Sequence, residues 1–156
     1  MKKLLFTFIL SLLILSSSNG AGADFYVVPV PAGVGTKISS TPFTITKPGF
    51  YYLAKNLQAT GGGIFIDADN VTLDLMGFVL QGPGSGSDHG IEIDCQSNTE
   101  IRNGTVAYFG GNGIDGTCVS MRTRIINMRL VANGRNGVYL AGSDHHVANC
   151  SAQVNT

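Results

Sequence analysis

The chain is poor in charge: Asp, Glu, Lys and Arg together make up 13% of its 156 residues, and tryptophan is absent. So few charges, nearly balanced in sign, provide no basic or acidic surface for nucleic acid or an anionic membrane. After residue 23 no long segment carries apolar residues at helical spacing, which excludes a helical bundle. The longest apolar run, Leu4 to Leu15, is too short for a comfortable transmembrane span, and no cysteine near residue 23 suggests lipid attachment. What the chain does have is glycine, 21 of them, set among short apolar alternations. That composition reads as short strands punctuated by turns, an all-β chain.

The first 23 residues have the layout of a cleavable secretory signal peptide. Lys2 and Lys3 precede the apolar run, and Ala21-Gly22-Ala23 is a small-residue cleavage site. Cleavage after Ala23 is expected to leave a chain with no transmembrane segment, secreted or periplasmic. It retains eight basic against ten acidic residues.

From residue 61 onward a phrase recurs. Gly63-Ile64, Gly90-Ile91, Gly113-Ile114 and Gly137-Val138 stand 27, 23 and 24 residues apart, and each opens a short alternation: GIFID, GIEID, GIDGT, GVYLA. Each is followed by a second apolar stretch (VTLDLMG, TEIRNG, RIINM, HVANC) and a third (FVLQG, TVAYFG, RLVANG, SAQVN). Asn103, Asn127 and Asn149 fall at one point of successive units, 24 and 22 residues apart. Three short strands per repeat at this period predict a parallel solenoid of about four rungs over 61–156. A leucine-rich repeat would need its own core pattern and a helix-length segment, and a hairpin sandwich gives no reason for Asn to recur in register.

Stacked rungs lie about 4.8 Å apart, so equivalent side chains sit over one another and a column of Asn can pass amide hydrogen bonds along the stack. Ile64, Ile91, Ile114 and Val138 form one predicted inward column; Ile66, Ile93, Gly116 and Leu140 form another. Leu73, Ile101, Ile125 and Val147 line the second strand, and Val79 or Leu80, Val106, Leu130 and Ala152 the third. Residues 24–60, with a Pro-Gly turn at 48–49, read as an N-terminal lead-in that caps the coil. At the other end the fourth rung stops at Thr156 with no cap, so the chain is either truncated or covered by another chain, end-to-end self-association included.

The stretches SSTPFTITKPGFYYLAKNL, GIFIDADNVTLDLMGFVLQG and TEIRNGTVAYFGGNGI resemble the opening of exported bacterial right-handed parallel β-helix repeat proteins, within the pectate-lyase-like superfamily. Over 39–156 the match departs from the family's usual form at Met76, where Asn is expected. The resemblance implies a right-handed single-stranded parallel β-helix. It is poor for function, because this architecture hosts lyases, hydrolases, epimerases and adhesins alike.

The outward column between the two core columns of the first strand reads Phe65, Glu92, Asp115, Tyr139. Two carboxylates on adjacent rungs approach the separation used by retaining glycosidases, like-charge repulsion would raise the pKa of one, and the aromatics could stack on sugar rings. Asp67 and Asp94, two residues further on, could add oxygen ligands for Ca²⁺. The competing reading is an ordinary solvated acidic face. Arg102 and Arg124 share a face on the second strand, but no lyase base or paired-aspartate motif can be assembled, so catalysis has no support. His89, His145 and His146 do not share a column and read as turn histidines. Cys95 and Cys118 do share one: they form a disulfide or remain two stacked thiols, with Cys150 left over. The sequons at Asn70, Asn103 and Asn149 overlap the repeat columns and read as Asn-turn chemistry. The expected function is a module that binds polysaccharide or cell-surface glycan along the coil, or processes it as a polysaccharide lyase or glycoside hydrolase; the alternative is a structural or adhesive surface domain.

Overall fold

The structure is a computed structural model that describes residues 34–156; the predicted signal peptide at 1–23 and the start of the lead-in lie outside the described residues. Within 34–156 there are only strands, all pairing in parallel, wound into a β-solenoid of about five turns. The first wall stacks β2 (Phe43–Ile45), β5 (Ile64–Ile66), β8 (Ile91–Ile93), β10 (Ile114–Met121) and β12 (Val138–Ser143). The second wall runs from β1 (Thr36–Ile38) through β3 (Gly49–Leu53) and β6 (Val71–Asp74) to β9 (Glu100–Ala107), β11 (Arg124–Val131) and β13 (His146–Ala148). β9 and β11 bend midway, and their second halves join β4 (Leu57–Gln58), β7 (Val79–Gln81) and β14 (Ser151–Gln153) as a third wall.

The columns follow the register. Phe43, Ile64, Ile91, Ile114 and Val138 lie one above another, as do Tyr51, Leu73, Ile101, Ile125 and Val147. On the third wall Leu57, Leu80, Val106, Leu130 and Ala152 stack, so Leu80 rather than Val79 faces inward. Burying these aliphatic side chains supplies the main stabilisation, about 1.5–3 kcal/mol for each fully buried one.

One difference concerns the lead-in. Its described part is itself a coil, because β2, β3 and β4 pair in register with β5, β6 and β7. Ile45 and Leu53 are fully buried there. The repeat was hidden because Pro42-Phe43 stands where later coils have Gly followed by an apolar residue. β1 then pairs with the outer edge of β3.

Corners are made by single residues in the left-handed region. Asn70, Asn98, Arg122 and Asp144 turn the chain from first to second wall with φ of 57°, 58°, 57° and 61°. Asn103, Asn127 and Asn149 turn it from second to third with φ of 56°, 55° and 54°. Among residues with a side chain, Asn tolerates this conformation best, so its recurrence is a backbone requirement first. Glycine recurs for a different reason. A Cβ on Gly113 would lie 2.7 Å from the Gly137 carbonyl oxygen, and Cβ atoms on Gly63 and Gly90 would meet the next glycine's carbonyl in the same way. Only a residue without a side chain lets successive coils approach so closely at this corner.

Candidate functional site

The first wall's outward column is in register: Phe65 pairs with Glu92, Glu92 with Asp115, and Asp115 with Tyr139. Its members do not converge on one site. Asp115 and Tyr139 line a cleft of about 270 Å³ with His89, Asn112, Thr117, Arg135 and Asn136. Glu92 and Phe65 are half-buried and lie outside that lining.

Asp115 is turned into the wall and buried. One carboxylate oxygen accepts from Asn112 Nδ2; the other accepts from the Thr117 hydroxyl and from the Thr117 backbone N–H at 3.2 Å. His89 Nδ1 lies 3.8 Å from the carboxylate. Burial alone would raise the carboxyl's pKa, but the bonds from Thr117 and Asn112 and the field of His89 outweigh it and hold the group below its ordinary value. The rise expected from like-charge repulsion between the paired carboxylates therefore does not occur at Asp115. Its partners also depend on a local irregularity. Register between β10 and β12 breaks between Gly116 and Ser120, so that Thr117, Cys118 and Val119 bulge outward and Thr117 can fold back on Asp115.

The opposite side of the cleft is a polar column that precedes the recurrent glycine. The Asn112 N–H donates to His89 Nδ1 at 2.8 Å, and the Asn136 N–H donates to Asn112 Oδ1 at 2.9 Å. Asn136 Nδ2 reaches the same oxygen at 3.3 Å. Because His89 Nδ1 accepts, neutral His89 carries its proton on Nε2 and can donate from there. Arg135 and the Tyr139 ring are exposed at the rim, and Arg135 has no ion-pair partner among the described residues.

The other sequence candidates lie elsewhere. Asp67 and Asp94 are exposed, with Gln96 Nε2 donating to Asp67 Oδ1 at 3.4 Å and to the Asp94 carbonyl at 2.8 Å. Among the described residues the one grouping with metal-ligand spacing is Asp94, Cys95 and Cys118. The two sulfurs are bonded to each other in a disulfide with Cα atoms 4.7 Å apart. A calcium ion takes six to eight oxygens, and this set does not fit one. Cys150 is free and half-buried.

The Asn column is partial. Asn127 Nδ2 donates to Asn103 Oδ1 at 3.1 Å, and Asn103 Nδ2 donates to Asp74 Oδ2 at 3.1 Å. Asn149 shares their left-handed conformation but makes no amide bond to Asn127. Other amide pairs join the coils as well: Asn98 to Asn70 at 2.9 Å and the buried Asn133 to Asn155 at 2.9 Å.

On the second wall, Arg102 and Arg124 both pair with Glu100, at 2.7 and 2.9 Å, and Arg102 also holds the buried Asp74 at 2.7 Å. His145 accepts from the Thr123 N–H at 3.4 Å, His146 is exposed, and neither joins His89. Among the described residues no helix is long and apolar enough to cross a membrane. No family model, curated protein or solved structure matches the chain.

Proposed function

We propose that the protein is an exported module that binds polysaccharide or cell-surface glycan against the first wall of the coil. The observation that carries this reading is the cleft in which the exposed Tyr139 ring stands beside a pinned carboxylate and a column of amides. A sugar offers an apolar C–H face and a rim of hydroxyls. Tyr139 suits the face; Asn136, His89 Nε2 and the remaining lone-pair capacity of Asp115 suit the rim. Three hydrogen bonds already reach the Asp115 carboxylate, leaving about one acceptor position of roughly four.

The reading is binding rather than turnover. A glycoside hydrolase acid must hold a proton near neutral pH, whereas Asp115 is held ionised and Glu92 is outside the cleft. The resemblance to exported right-handed β-helix repeat proteins supports a carbohydrate partner. The signal-peptide layout of residues 1–23 and the Cys95–Cys118 disulfide support a secreted or periplasmic location.

The test is a carbohydrate array followed by affinity electrophoresis in glycan-containing gels. Wild type should be retained by at least one glycan. Tyr139→Ala should lose about tenfold or more in affinity, equivalent to 1.4 kcal/mol or above, while Arg129→Gln on the third wall should behave as wild type. If wild type is retained by no glycan, the structural or adhesive reading replaces this one.

A further inference from the structure

A second concave surface lies where the first wall turns into the second. It is a cleft of about 370 Å³ lined by Thr72, Asn98, Thr99, Glu100, Arg122 and Arg124. Its carboxylate and amide oxygens are already engaged. Glu100 takes Arg102 on one carboxylate oxygen at 2.7 Å and Arg124 on the other at 2.9 Å. Asn98 Oδ1 takes Arg122 Nε at 2.6 Å, while Asn98 Nδ2 donates to Asn70.

What remains free is donor capacity. Arg122 has no carboxylate partner among the described residues, and its bond to Asn98 uses only Nε. Its two Nη groups, a planar fork suited to oxyanions, are left over. Arg124 keeps the rest of its guanidinium and is more than half exposed. Arg102 and Arg124 share Asp74 and Glu100, whereas Arg122 makes no ion pair among the described residues, although Asp144 occupies the same corner one coil later.

The position of Arg122 is set by the backbone. It occupies the left-handed corner between the walls, φ 57°, and its N–H donates to the Ser143 carbonyl at 3.1 Å. Asn98 occupies the same corner one coil earlier, so the hydrogen bond between them is a product of stacking. That bond restrains the long side chain before any ligand arrives, which lowers the entropy of capture.

We propose that this cleft is an oxyanion-binding site that takes phosphate or sulfate, free or as an ester on a sugar, with Arg122 as its principal ligand. It is separate from the cleft around Asp115 and does not depend on Tyr139.

The test is calorimetric titration of the purified protein with inorganic phosphate and with inorganic sulfate, using chloride to hold ionic strength constant. Saturable binding of at least one oxyanion is expected. Arg122→Gln should weaken it about tenfold or more, the usual scale for a charged hydrogen bond, and Arg122→Lys, which keeps charge but not the fork, should fall between. Arg129→Gln removes the same charge from the third wall and should bind as wild type. Absence of saturable binding, or equal weakening in Arg122→Gln and Arg129→Gln, overturns the proposal. A phosphorylated and a sulfated monosaccharide then identify the source. Competition with the inorganic ion, lost in Arg122→Gln, assigns a sugar ester; binding of the inorganic ion without competition assigns the free ion.

Discussion

Asp115 shows how much a single carboxylate can depend on its surroundings. Its lowered pKa arises from the Thr117 hydroxyl and Asn112 Nδ2, which donate to its two oxygens, with the Thr117 N–H as a further donor; an amide in the same place keeps one acceptor oxygen and turns an NH2 toward the donors of the other. Asp115→Asn would set one N–H group against another. It should destabilise the fold by about 1–3 kcal/mol at neutral pH. The pH dependence has a definite sign. A group whose folded pKa lies below its unfolded value, ordinarily 3.8, stabilises the fold fully above that value and loses this contribution as pH falls through the folded pKa. Wild type and Asp115→Asn should therefore differ most in urea midpoint at neutral pH and converge as pH drops below 3.8. A gap that stays constant across the acid range would mean the carboxylate's ionisation is not what the site depends on.

Strands in this coil are held apart and together by what stands at their ends, and glycine is the clearest case. A Cβ on Gly113 would meet the Gly137 carbonyl oxygen at 2.7 Å, a backbone atom that cannot step aside. A Cβ on Gly116, in the strand that follows, would meet Leu140 Cδ2 at 2.9 Å, the far end of a side chain in the last described coil. Gly113→Ala should cost toward the upper end of the 1–3 kcal/mol range typical of overpacking, and Gly116→Ala less than about 1 kcal/mol. Thermal melts of the two variants check this, and equal losses would refute the close-approach argument. The same contact explains what the sequence could disclose. Gly63, Gly90, Gly113 and Gly137 are visible as a column because the coils that carry them keep that corner bare. The first described coil escapes notice because Pro42-Phe43 replaces the pair. Alternation likewise places Asp115 and Tyr139 outward, but Thr117 reaches Asp115 only through a bulge that no alternation foretells. His89, Asn112 and Asn136 were legible in principle, each two residues before the recurrent apolar position, yet their side chains differ enough to mask the column.

A solenoid has no single centre; each coil is stabilised by the neighbours above and below it, so stability should vary along the axis. Ile91, Ile101, Val106 and Ile114 are covered on both sides and fully buried. In the last coil the equivalent columns end in Val147, 50% exposed, and the corner residue Val154 is 81% exposed. Nearest-neighbour coupling then predicts a gradient of amide exchange. Protection should be greatest in β8 to β11 and should fall through β12, β13 and β14, which open without unfolding the middle. Hydrogen exchange read by mass spectrometry at low protein concentration tests this directly. Repeating the experiment at high concentration tests for end-to-end association, in which a second copy stacked on the last described coil would cover its exposed face and slow exchange in 138–153. Protection of that coil equal to the middle at every concentration would contradict the nearest-neighbour account. Buried contacts would then not set local stability in this chain, and the gradient of exposure along the axis would have no thermodynamic consequence.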